Sequence, residues 1–209
     1  MIGALENAII GALRAQSEAG ALGYQYRLLD TYPDDFDQYF ADKKGLLRAP
    51  AAWCTFLALD DCQDLGDGQG VQGVGRFALI LAAQNLRNEA ASRHGGPDGQ
   101  SEPGSYQLAE DAVRILSDNW LADDPAVRLI RPLSVAGIRL IQRTEMMAKN
   151  NLSLMAVELR CTFPLGRFTG DDEGFEQLHI DWDVPPIGNV APPLPAARAD
   201  ARDDIAVPQ

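Results

Sequence analysis

The sequence predicts an α+β fold in which helices lie on a β-sheet, and three observations carry that prediction. Residues 104–120, GSYQLAEDAVRILSDNW, read as an amphipathic helix: Gly104 breaks the preceding loop, Ser105 is placed as N-cap, and Glu110 and Asp111 lie toward the electropositive start. Leu108, Ala109, Ala112, Val113, Ile115, Leu116 and Trp120 recur at helical spacing and form one apolar stripe, which needs a sheet to cover. In 153–163, Met155, Val157, Leu159, Cys161 and Phe163 share one parity while Glu158, Arg160 and Thr162 share the other, the mark of a half-buried strand. Two apolar runs, 50–59 and 71–86, are joined by the polar, Gly-rich 60–70, and the simplest arrangement is an antiparallel hairpin.

The remaining elements follow in order. Residues 2–18 read as a helix with Ile2, Leu5, Ile9, Ala12 and Leu13 on one face, ended by Gly20 and Gly23. Residues 24–31 are extended. Pro33 and Asp34–Asp35 open a short helix carrying Phe36, Tyr39 and Phe40, closed by Gly45. The run 50–59, PAAWCTFLAL, is apolar on both parities, so it is covered on both faces by helices or by a neighbouring subunit. Residues 87–104 read as a long polar loop. Asp123, Asp124 and Pro125 make a turn, 126–147 hold two extended pieces split near Pro132 to Gly137, and Asn150–Asn151 is a turn. Residues 175–183 form one more strand. Beyond it the Pro-rich 184–209 favours polyproline-like chain, whose last 25 residues or so could reach about 75 Å at about 3.1 Å each. The domain reading is 1–165 as the α+β domain and 166–209 as a strand plus a Pro-rich arm, partly disordered or wrapping a neighbour.

Composition narrows the function. The net charge of −12 with scattered basic residues argues against a sequence-specific nucleic-acid binder. No stretch approaches the roughly 18 apolar residues of a membrane span, and the N-terminus has Glu6 and no basic segment, unlike a signal peptide. Cys54 and Cys161 lie in apolar runs and read as reduced core thiols, and with Cys62 they show no metal-ligand spacing. That usage suits a reducing cytoplasm.

Four patterns suggest chemistry, and each has a blander reading. Gly68, Gly70 and Gly73 match G-x-G-x-x-G, but a strand pattern follows where the dinucleotide motif needs a helix, so they read as a hairpin loop. His179, Asp181 and Asp183 alternate as H-x-D-x-D and on a strand would share a face able to bind a metal; a solvated strand face is the alternative. Asp34, Asp35, Asp37 and Asp42, and Asp60, Asp61, Asp64 and Asp67, lack the spacing of a calcium loop and read as surface. Around a passage for DNA such acidic residues would reduce sticking to phosphate. No G-x-S-x-G elbow is present.

The order IGALENAIIGALRA, PAAWCTFLAL, GRFALILAAQNLRNE, GSYQLAEDAVRILSDNWL and LSLMAVELRCTFPL resembles the Mu-like phage family of small tail-completion proteins, themselves similar to tail terminators. The resemblance covers residues 2–165, with a weaker echo in 175–183, and Gly104, Tyr106 and Leu108 (G-x-Y-x-L) are its sharpest match. It implies helices packed on a mainly antiparallel, mixed sheet. It also implies a virion protein of the tail or neck, made in the host cytoplasm, that forms a six-membered ring, caps the finished tail tube and presents a docking face to the head. The implied partners are further copies of the chain, the tail tube protein, the tail sheath and the neck or connector proteins, with DNA passing through the ring; no catalytic activity, cofactor or metal is implied. The long 87–103 loop and the Pro-rich tail depart from the family core. Alternatives are another head–tail joining protein, or a small metal-dependent hydrolase using H-x-D-x-D.

A cyclic ring joins subunits head to tail, so each subunit needs two different patches. For one of them the candidates are Phe175, Leu178, Ile180 and Trp182, adding a strand to a neighbour's sheet edge. The alternative is that they close the subunit's own sheet.

Overall fold

The computed structural model describes residues 1–33, 35–42, 47–66, 70–98 and 101–166, together with the backbone of 177–182 and 201–206. The chain divides into two compact units, Met1–Arg167 and Phe168–Gln209.

In the first unit the elements are α1 (Ile2–Glu18), β1 (Leu28–Thr31), α2 (Phe36–Asp42), β2 (Ala51–Asp64), β3 (Val71–Gln84), α3 (Glu89–His94), α4 (Ser105–Leu116), β4 (Arg131–Leu140), α5 (Glu145–Lys149) and β5 (Leu152–Leu165). One mixed sheet runs in the order β1-β2-β3-β5-β4; β1 is parallel to β2 and every other neighbour is antiparallel. The α+β prediction holds.

Strand parity sorts the core into two layers. Ala52 and Cys54 of β2, Phe77, Leu79 and Leu81 of β3, and Val157, Leu159, Cys161 and Phe163 of β5 pack under α1 and α4. Those helices supply Leu5, Ile9 and Leu13, four residues apart, and Leu108, Ala112 and Leu116, all without solvent exposure. At about 1.5–3 kcal/mol for each large side chain buried, this layer is the main stabilising element. The opposite parity, Ala51, Trp53, Ile80, Ala82, Leu152 and Leu154, meets Phe36 and Phe40 of α2 and Met147 of α5. Trp53 stands edge-on to Phe36 at 5.6 Å and to Tyr39 at 6.2 Å. The doubly apolar run at 50–59 is therefore covered by helices of its own chain along its first half.

The structure corrects the sequence reading at five places. Residues 87–104 are not all loop, because Asn88 caps the short helix α3 by accepting from the Ala91 N–H at 2.8 Å. Ser105 is not the cap of α4; Gly104 is, and the Ser105 side chain turns inward to within 2.8 Å of the Ser153 hydroxyl. The helix stops at Leu116, before Trp120, so Trp120 leaves the stripe and is exposed. The pieces expected on either side of Pro132–Gly137 are one strand, β4. Its register against β5 shifts at two points, which absorbs Pro132 without breaking the strand. In the second unit, residues 201–206 form a strand rather than polyproline-like chain: β6 (Gln177–Trp182) pairs antiparallel with β7 (Ala201–Ala206), Leu178 opposite Ile205. The segment ARDDIA holds no proline, so every residue can donate to a ladder.

Candidate subunit-contact surfaces

The sequence-predicted patch falls partly within the described chain. Phe175 lies outside the described residues. Leu178, Ile180 and Trp182 sit on β6, separated from one another by His179 and Asp181, and face Ile205, Asp203 and Ala201 of β7 across the ladder. β6 and β7 form their own two-stranded sheet, and β6 is not a strand of the five-stranded one. One side of β6 is taken by β7, and no described strand pairs with its other side.

The five-stranded sheet has two outer strands, β1 and β4. β1 has only four residues, whereas β4 has ten. The first part of the β4 edge is occupied, since the Leu133 N–H donates to the Asn119 carbonyl at 2.9 Å and the Asp118 N–H to the Leu133 carbonyl at 2.9 Å. Past that point the edge is open among the described residues. Ile138 and Leu140 stand on it at 48% and 46% exposure, and Ile130 and Trp120 lie near its start at 43% and 51%. Two of the large exposed apolar side chains of the described chain thus stand on β4, and two more lie in the chain before it.

The same segment is basic. Between Val127 and Arg143 the chain carries Arg128, Arg131, Arg139 and Arg143 and no acidic residue, although its net charge is −12. Reading the basic residues as scattered passed over this cluster; counting charges in a sliding window would have found it. Arg139 reaches back to Glu158 of β5 at 2.6 Å, and Arg160 and Arg76 approach the same carboxylate at 3.6 and 3.8 Å. Arg76 also meets Asp60 at 2.7 Å. The sheet half beyond the α2–α5 layer is thus a charged face whose arginines outnumber their carboxylate partners.

The patterns that suggested chemistry resolve into structure where they are described. Asp64 and Val71 are paired across a hairpin, with the Leu65 N–H on the Gly70 carbonyl at 2.9 Å, so Gly70 and Gly73 belong to a hairpin and not to a strand–helix turn. Gly68 lies outside the described residues, as do Asp34 and Asp67. Asp60 meets Arg76, Asp64 accepts from the Gly66 N–H, and Asp35 accepts from the Gln38 N–H at the start of α2. Among the described residues no three His, Cys, Asp or Glu side chains are grouped to hold a metal. His179 and Asp181 lie on β6, with Asp204 and Arg202 as ladder partners, and Asp183 is outside the described residues.

Burial accounts for the titration shifts. It pushes the Cys161 thiol up to about 12 and, with the Glu6 carboxylate adding to it, raises Cys54 further, so both core thiols are inert. Cys62, on the hairpin arm, is exposed. Tyr24 is raised by burial and then by Tyr26, and its hydroxyl donates to buried Asp111 at 3.2 Å.

The G-x-Y-x-L match has a structural basis. A Cβ on Gly104 would run into the backbone of Arg93 and Gly95, Tyr106 stands edge-on to His94 at 5.0 Å, and Leu108 is fully buried. Arg87 and Glu102 form a two-pronged pair at 2.9 and 3.1 Å that holds the same loop, and Asn85 donates to that Glu102 carboxylate at 3.1 Å. These residues join α3, the loop after it and α4 into one structure.

No helix among the described residues is long and apolar enough to cross a membrane. No curated protein matches the chain. A chain of a solved structure described as "Virion of native gene transfer agent (GTA) particle" is similar at 17% identity and a TM-score of 0.43, covering 78% of this chain and 96% of that one. The family model "Bacteriophage Mu, Gp37" matches residues 1–164, nearly all of the five-stranded unit, in keeping with the resemblance read from 2–165. On that match the chain belongs to the bacteriophage Mu Gp37 family.

Proposed function

We propose that this bacteriophage structural protein caps the tail tube as a ring, ends tail polymerisation and helps to form the head–tail junction. The observation that supports the reading is the family match, which spans the five-stranded unit and stops at residue 164, just before the second unit begins at Phe168. The mechanism is recognition. Copies of the chain join, the ring seats on the last ring of tube protein, and the opposite face meets the neck; the protein acts in the virion after assembly in the host cytoplasm. A stable ring contact buries more than about 1,000 Å². The second unit supplies one contact patch through Phe175, Leu178, Ile180 and Trp182, with the Pro-rich segment reaching along the neighbour.

The test is mass by light scattering together with negative-stain imaging of the protein alone and with purified tail tubes. Rings in solution, or rings seated at one end of each tube, are expected. Virions whose tube tip carries a different polypeptide, with this chain absent, would overturn the proposal.

A further inference from the structure

The donor patch on β6 needs an acceptor, and the open half of β4 has the matching length, pattern and charge. We infer that Val135–Leu140 of β4 receives β6 of a second copy as an added antiparallel or parallel strand, which continues the sheet from one subunit into the next. This inference rests on the ring reading above and names its second patch.

The backbone at this edge is suitably arranged. The Ile141 N–H donates to the Leu154 carbonyl at 3.0 Å, and Arg139 pairs with Ala156. In an antiparallel ladder hydrogen-bonded and non-bonded pairs alternate, so Ile138 and Leu140 direct their N–H and C=O groups away from β5 toward the open side. An exposed strand with such groups is a template for pairing unless it is covered. It is neither short nor capped by a described element beyond Leu133.

Length and pattern agree as well. Val135–Leu140 and β6 have six residues each, and the β4 edge is regular from Gly137 to Leu140, past the register shift between Val135 and Gly137. Ile138 and Leu140 share one parity, as do Leu178, Ile180 and Trp182, so an added strand can set aliphatic opposite aliphatic. The charges are opposite in sign. The segment 127–143 has four arginines, of which Arg139 pairs with Glu158 and Arg143 with Glu89 within the subunit, whereas Phe168–Gln209 has nine acidic and two basic residues, a net charge of −7. A neighbour's acidic unit laid along an arginine-bearing edge is favoured electrostatically, and the complementarity sets its register more than its strength. The contact is heterologous, β6 of one copy on β4 of the next, which is the type that closes into a ring.

Cross-linking tests the pairing in the full chain. Cys62→Ser removes the exposed thiol, and Ile138→Cys with Ile180→Cys then places one thiol on each strand. Under mild oxidation we expect a ladder of covalent multimers ending at the ring, at least tenfold stronger than with Ile138→Cys alone. Ile138→Lys with Leu140→Lys, at exposed positions, should weaken self-association tenfold or more while the thermal midpoint of the subunit is unchanged. Full rings without cross-links and without an effect of the lysine pair would overturn the β4 assignment and leave the ring reading standing. A disulfide formed within one chain would also overturn it, since the edge would then be covered by its own β6. Retention of double-stranded DNA that Arg139→Ala abolishes, in rings that do not cross-link, would assign the strand to phosphate and overturn it too. Monomers alone, both free and on tail tubes, would overturn the ring reading and this assignment with it.

Discussion

The carboxylate of Glu6, on α1, accepts the backbone N–H of Phe56, on β2, at 2.6 Å. The β1–β2 pairing ends at Thr31 opposite Cys54, so a helix side chain satisfies a strand donor just past the end of β1. It also joins α1 to the sheet through a polar bond inside a largely apolar layer. Glu6→Ala leaves that N–H without an acceptor and should cost about 1–3 kcal/mol, whereas Glu6→Gln keeps an acceptor and should cost less than about 1 kcal/mol. Urea unfolding followed by tryptophan fluorescence measures both, and equal losses for the two variants would show that the bond is not the cause.

Gly104 allows no side chain, because a Cβ there meets the backbone of Arg93 and Gly95, which cannot swing aside as a side chain tip could. Gly104→Ala should therefore destabilise by about 1–3 kcal/mol, in the range of an overpacked core. Proteolysis should open the 85–104 region before the sheet. Gly11→Ala, at a site with no atom near the added methyl, is the control and should be neutral or slightly stabilising.

Stability should fall on the alkaline side. Cys54, Cys161 and Tyr24 are all held neutral by burial, with folded pKa values above the ordinary 9.0 of a thiol and 10.0 of a phenol. Above those values the unfolded chain has lost protons that the native chain still holds, so unfolding stability drops as pH rises. Their contribution is fully present below about pH 9, begins to be lost there, and is lost more steeply above about pH 10 once the phenol joins the thiols. Thermal midpoints between about pH 7 and pH 11 measure the profile. Cys54→Ala with Cys161→Ala should flatten its first part, and Tyr24→Phe the later part; a profile unchanged by either would contradict the burial argument.

Removing 175–209 should abolish or weaken assembly without unfolding the five-stranded unit, since the described residues of the apolar layers under α1, α4, α2 and α5 all precede Arg167. Circular dichroism and urea midpoints should match the full chain while light scattering shows a smaller particle. An unchanged oligomer mass would remove the second unit from the interface.

What could be read without coordinates was whatever depends on neighbours a few residues away. Leu5, Ile9 and Leu13 define α1 by spacing alone, and the parity of Met155 to Phe163 defines β5, because helical and strand periods set which side chains share a face. The hairpin at 60–70 followed from its glycines and the two apolar runs beside it. Asn88 was legible as a cap in principle, yet six residues after it are too few for a periodic signal against a polar background. The donor patch on β6 was visible as an alternating pattern, whereas its proposed acceptor was not, because exposure on an outer strand depends on strand order.

Local periodicity was enough to place helices on a sheet and to mark the run 50–59 as apolar on both faces, of which the structure covers the first half. Long-range packing turns Ser105 inward to Ser153, brings Glu6 to Phe56 fifty residues away, and leaves β4 at the end of the sheet with Ile138 and Leu140 exposed. Those outcomes come from contacts between segments far apart in the chain, where register and packing choose among side chains that local pattern leaves equivalent.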